Sequence, residues 1–137
     1  MNKSDRLNEI YKEYDLTKDD LFYHKNFTII KREGIDKIQS IAKISIDYSM
    51  QYNSDDLKHI IIKATAVMGE TKIITFGESS PDNYIQRSNT GYYPVAMAEK
   101  RAMSRAVLKL TGFYALGHFG QDEADAFSQQ PDPATSQ

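Results

Sequence analysis

Residues 94–112 read PVAMAEKRAMSRAVLKLTG, and the fold is decided by how this stretch is read. Pro94 suits a first helical turn, where no backbone bond is lost, and Gly112 suits the left-handed residue after the last turn. Between them only Ser104, Thr111 and the valines are weak helix formers. At about 100° per residue, Val95, Ala102, Met103, Ala106, Val107 and Leu110 share one broad apolar face. Arg101, Arg105 and Lys109 fall in a row on the flank, with Lys100 across the polar side. No acidic residue stands four positions from any of the three, and like charges at that spacing cost roughly 0.2–0.5 kcal/mol per pair. A polyanion laid along the row relieves that repulsion. The plain alternative is a helix flank whose cations pair with Asp or Glu from elsewhere in the chain. Glu99 lies near the centre of the apolar face, where an unpaired carboxylate is costly, so a structural partner is expected for it.

Upstream of this helix the hydrophobic period is two. In residues 57–68, Ile60, Ile62, Ala64, Ala66 and Met68 make one face of a strand and Ile61, Lys63, Thr65 and Val67 the other. Gly69-Glu70 is a tight connection, and residues 71–76 return as the hairpin partner. Lys63 and Lys72 therefore stand on one hairpin, with the question of a shared face left open. Residues 43–52 form an earlier strand, Ile44, Ile46, Tyr48, Met50 and Tyr52 on a buried face and Ser45, Asp47, Ser49 and Gln51 on a wet one. The stripe Tyr48/Met50/Tyr52 is expected as core or interface. Residues 77–93 form a long polar loop holding Arg87, Asn89, Tyr92 and Tyr93. Exposed rings stack on bases without reading sequence; tyrosines flanking a proline helix start more often pack as a hinge.

The N-terminal part is less marked. Residues 4–14 predict a short helix capped by Ser4, an appendage or inter-subunit arm. Residues 22–31 predict one strand, Gly34 a break, and residues 35–42 a two-turn amphipathic helix. After residue 112, Phe113, Tyr114, Leu116 and Phe119 dock back, and the end of the chain is expected to be disordered. The order is α–β–α–β–β–β–α: an α+β domain with a three-stranded antiparallel meander, an earlier strand, and a long C-terminal helix packed on the sheet. Three segments are expected, an arm at 1–20, the domain at 21–119 and an acidic tail at 120–137.

The composition suits a globular chain of one domain: 137 residues, 40% hydrophobic, nine Tyr and six Phe. With no cysteine, disulfides and thiolate metal sites are excluded. The first residues lack an apolar signal core and no run approaches a membrane span, so a cytoplasmic location is expected. The net charge of −2 is unevenly spread, since residues 21–119 carry thirteen Lys and Arg against nine Asp and Glu. A mildly basic middle between acidic ends permits phosphate binding without demanding it.

A hairpin with a tight Gly turn, Gly77-Glu78 near the strand end, a polar loop, and then AEKRAMSRAVLKLTG make up residues 57–112. This arrangement resembles the single-strand annealing proteins of recombination, the Rad-fifty-two-like and Erf/Sak groups common in bacteriophages. Arg105-Ala106 and Gly112 match the family's Arg-Ala…Gly segment, with one residue more before the Gly and Ala102-Met103-Ser104 where a Lys often precedes the Arg. The resemblance implies a β–β–β–α core, ATP-independent annealing, and rings or filaments of one chain. It also implies a positive groove for single-stranded DNA between helix and hairpin. Arg105 carries over best, then Arg101 and Lys109, and the hairpin lysines least. By this reading the DNA-binding set is Lys100, Arg101, Arg105, Lys109, Lys63, Lys72 and Arg87, with Tyr92 and Tyr93 for stacking. The acidic tail shields the groove or recruits a single-strand-binding or replication partner.

For an enzyme there is little. His24, His59 and His118 form no zinc pattern, and no phosphate-binding loop or nucleophile elbow occurs. Asp47, Glu78 and Glu99 converge on a nuclease metal only if folding brings them together, and no cofactor is implied. The alternative class is a protein-interaction module, an α+β oligomer with its cations merely solvated.

Overall fold

The computed structural model describes residues 3–81 and 93–123. In chain order the elements are α1 (Lys3–Glu13), β1 (Leu21–Tyr23), β2 (Thr28–Ile30), α2 (Arg32–Ala42), β3 (Ser45–Asn53), β4 (Ile60–Met68), β5 (Thr71–Ser79), α3 (Pro94–Thr111) and β6 (His118–Gly120). Among the described residues the strands form two three-stranded sheets. The larger is the antiparallel meander β3-β4-β5; the smaller has the order β1-β2-β6, with β1 antiparallel and β6 parallel to β2. The fold is α+β, with the long helix α3 packed on the larger sheet against β4 and β5.

Helix α3 has the expected ends: Pro94 opens it, and Gly112 follows it at φ 87°, in the left-handed region. Its seating on the sheet is set by small residues. A Cβ built on Gly77 falls 1.9 Å from the Ala98 carbonyl oxygen and 2.4 Å from the Ala102 nitrogen. Backbone therefore lies directly on backbone, and Thr75 Oγ1 donates to the Ala102 carbonyl at 2.7 Å. This seating rotates the helix away from the expected face. Ala98, Arg101, Ala102, Ser104, Ala106, Val107 and Leu108 are buried. Val95 and Glu99 are exposed, so Glu99 needs no buried partner.

Behind α3 lies the main core, where Leu21, Ile30, Ile35, Ile38, Val107, Leu108 and Phe113 pack together. The expected arm belongs to it. Tyr11 of α1 stacks on Phe113 and Tyr14, just after the helix, packs tilted against it, at centroid distances of 6.3 and 5.8 Å, and the Tyr11 hydroxyl lies 2.6 Å from His118 Nε2. Burial pushes the Tyr11 hydroxyl up to about 12, with Tyr23 adding to it.

Several local readings change. Residues 22–31 are a hairpin rather than one strand. Gly34 lies inside α2, where an added Cβ would meet Ile30 Cγ2 at 2.7 Å, so it marks close packing rather than a break. Strand β5 runs on to Ser79, placing Gly77 and Glu78 within it. β6 has no counterpart in the sequence reading. Along β3 the register slips between Met50 and Tyr52, which turns Tyr52 to the opposite face from Tyr48 and Met50. The buried face expected for β3 is absent as well, since Ile46 alone is half-buried and the other eight residues are exposed.

Candidate nucleic-acid interface

The two arginines of α3 are engaged within the chain. Arg101 is 2% exposed; its Nη1 donates to the Glu78 carbonyl at 2.8 Å and its Nε to the Asp122 carbonyl at 3.2 Å. Arg105 donates from Nη1 and Nη2 to the two carboxylate oxygens of Glu78 at 2.8 and 2.9 Å. It also donates to the Phe76 carbonyl at 2.7 Å and pairs through Nε with Glu123. Burial works against the charge on Arg105, but the hydrogen bonds to Glu78 and Glu123 outweigh it and raise its pKa. The Arg105 bond in turn holds the Glu78 carboxyl below the usual carboxylate range.

The expectation of an unrelieved basic row is thereby corrected. Its counter-charges come from β5 and from the segment after β6, out of reach of any helical spacing rule. The acidic residues Asp122 and Glu123, read as the start of a tail, fasten that segment to the helix: Asp122 accepts from Ser104 Oγ at 3.1 Å and from Arg32 Nη2 at 3.2 Å. Residues 124–137, the rest of that tail, lie outside the described residues.

The other candidates scatter. Lys109 is exposed, its Nζ 5.3 Å from the Tyr114 ring centroid, a cation–π contact. Lys100 is half-buried beside a cleft of about 410 Å³ that Arg32, Glu33, Met97, Arg101, Gln121 and Asp122 also line. Tyr93 precedes α3 and is exposed. Arg87 and Tyr92 lie outside the described residues.

The hairpin lysines share a face, four register positions apart. Residues directly opposite in an antiparallel pair share a face. Lys63 pairs with Phe76, Thr65 with Ile74, and Val67 with Lys72. Lys63 and Lys72 therefore stand on the same face, the one turned away from α3, with Ile74 and Phe76 exposed between and beside them. The slip in β3 brings Tyr52 onto this face opposite Ile61. Two anions share it, Asp47 opposite Thr65, and Glu78, which Arg105 holds.

No protein-family model, curated protein or solved structure matches the chain. Among the described residues no group of three His, Cys, Asp or Glu side chains is placed to hold a metal. No helix among them is long and apolar enough to cross a membrane.

The sequence reading missed Phe76, Ile74 and Tyr52. A signal for the first two was present in the alternation of residues 71–79, but the loop at 69–70 alone does not say which face they share with Lys63. Nothing local marks the slip that turns Tyr52.

Proposed function

We propose that the chain binds single-stranded DNA on the open face of its β3-β4-β5 sheet and, as a homo-oligomer, promotes annealing of complementary strands without ATP. The observation that carries this reading is the placing of Lys63 and Lys72 on one sheet surface turned away from α3, with the exposed ring of Phe76 on β5 directly opposite Lys63. Lysines supply point charges for phosphates, and a ring on a sheet offers a base a sequence-tolerant platform. The resemblance of residues 57–112 to the Rad-fifty-two-like annealing proteins supports the same substrate. Arg101 and Arg105 act one step back, tying helix to sheet. Annealing needs no bond chemistry: backbone held by cations leaves base edges free to meet a second strand.

The test is fluorescence anisotropy with a labelled single strand across a salt series, followed by annealing of a complementary pair. Single-strand affinity falls with a log–log slope of about −0.7 per neutralised phosphate. Replacing Lys63 and Lys72 together by Gln weakens binding and flattens the slope by about 1.4, two such contacts. Unchanged affinity and slope in that variant would remove the sheet face from the function.

A second reading, a protein-interaction module, draws on one observation: the two arginines of the row are engaged within the chain, Arg105 by the Glu78 and Glu123 carboxylates and Arg101 by the Glu78 and Asp122 carbonyls. It requires a folded chain that ignores single strands at low salt.

A further inference from the structure

The open face of the larger sheet carries its charges and rings in a pattern. At one end Tyr52 of β3 is opposite Ile61 of β4, which is opposite Glu78 of β5. Two residues further along β4, Lys63 is opposite Phe76, and four residues beyond that Val67 is opposite Lys72. Tyr52 and Lys72 therefore mark two opposite corners of the face, with Lys63 and Phe76 between them. The two carboxylates lie off that line. Glu78 shares the end of Tyr52 but stands on β5, and Asp47 stands on β3 opposite Thr65, on the other flank. A polyanion crossing from Asp47 to Glu78 meets a carboxylate at each end. One running from Tyr52 to Lys72 meets a cation midway and another at its end.

We infer that a single strand of DNA lies along that one diagonal, its bases stacking on Tyr52 as well as Phe76 and the phosphate between them above Lys63; the inference rests on the sheet face being the binding surface proposed above. Both rings are open to a base, Tyr52 at 52% and Phe76 at 45% exposure. With strands about 4.8 Å apart and a rise of about 3.4 Å per residue, their Cα atoms are about 12 Å apart. That separation suits two bases of one strand rather than one base clamped by both rings. The slip between Met50 and Tyr52 supplies the second ring, because strict alternation would put Tyr52 on the α3 side with Tyr48 and Met50. Irregularities of this kind re-aim a side chain at a surface that uses it.

The test uses the full-length chain and fluorescence anisotropy with labelled oligothymidylate. Tyr52→Leu keeps apolar bulk on the strand and removes the ring. It weakens binding about 5- to 150-fold, the worth of one base–ring stack, with the salt slope unchanged. Tyr52→Phe binds like the wild type. So does Tyr48→Leu, on the same strand but on the α3 side. Combined with Phe76→Ala, the Tyr52→Leu loss multiplies, as for two independent bases. Circular dichroism and thermal midpoints check that each variant is folded. Wild-type affinity in Tyr52→Leu, while Lys63→Gln with Lys72→Gln still weakens binding, overturns the diagonal and leaves the face standing. An equal loss in Tyr48→Leu overturns it in favour of a general weakening of β3. A double variant no weaker than either single one overturns it in favour of one clamped base. Unchanged binding in the lysine variant removes the face, and the diagonal with it.

Discussion

Arg105 holds Glu78 in a fork, Nη1 at 2.8 Å and Nη2 at 2.9 Å from the two carboxylate oxygens, across 27 residues of chain. The same guanidinium takes the Phe76 carbonyl and the buried Glu123 carboxylate, so one side chain ties α3 to the free edge of β5 and to the segment after β6. Such a hub is structural, and its loss reads first as instability.

Arg105→Ala leaves Glu123 buried and unpaired. Breaking a fully buried pair costs about 3–5 kcal/mol, and partial exposure of Glu78 lowers the expected figure here to about 2–3 kcal/mol. Arg105→Lys keeps the charge but not the fork and recovers only part of the loss. Urea midpoints of the three proteins, at matched slopes, check the order wild type, Lys, Ala. DNA-binding losses in the Ala variant are interpretable only at temperatures where it remains folded.

Gly77→Ala drives a methyl group into the backbone of α3 at Ala98 and Ala102. Backbone cannot turn aside as a side chain would, so the helix must lift from the sheet. Overpacking of this kind costs about 1–3 kcal/mol or more. A lowered thermal midpoint with unchanged helical content at low temperature is the expected result; a neutral substitution would contradict the close approach.

Phe113→Ala removes the ring that Tyr11, Tyr14 and His118 pack around, at centroid distances of 6.3, 5.8 and 5.5 Å. The ring is fully buried, and its loss costs about 3–5 kcal/mol through transfer and cavity terms. Hydrogen exchange in α1 should rise with it, because Tyr11 of α1 and Tyr14 just after it help fasten the helix to the core.

Acid should loosen the fold at two carboxylates. Glu78 is held low by the Arg105 hydrogen bond. Burial pushes Asp20 up, but bonds from the Lys37 ammonium at 2.8 Å and from Thr17 outweigh it and hold its pKa below the usual value. Folded-state values below the unfolded ones stabilise the protein above the ordinary carboxylate range, and that contribution is lost as pH falls through the folded values. Stability is therefore expected to be level near pH 6–7 and to decline below about pH 4.5. Denaturant midpoints across that range check it, and Asp20→Asn should flatten the decline.

Phe76→Ala tests the stacking platform separately from the charges. Loss of one base–ring stack weakens single-strand binding by about 1–3 kcal/mol while leaving the salt slope unchanged. A changed slope would show that the ring only positions Lys63.

Much of the architecture follows from signals within a few residues of one another. Pro94 and Gly112 mark both ends of α3 because each has a backbone preference of its own. The alternation of Ile60, Ile62, Ala64 and Ala66 marks the buried face of β4 for the same local reason. What failed was inference across the chain. The helical wheel placed Glu99 inward by counting apolar bulk, whereas the sheet selects the flank where Ala98 and Ala102 let backbone approach Gly77. The row of cations looked unrelieved because its partners, Glu78 and Glu123, stand 27 and 18 residues from Arg105.

By itself, then, the sequence determined α1, the body of α2, α3 and the three strands of the meander, since torsional preference and hydrophobic period act over one or two turns of chain. Only the tertiary structure decided which charges face solvent, which strand edges stay open, and that Lys63 and Lys72 share a surface. Those depend on register and on long-range pairing, where desolvation lets one arrangement of carboxylate and guanidinium prevail over the others that the same residues allow.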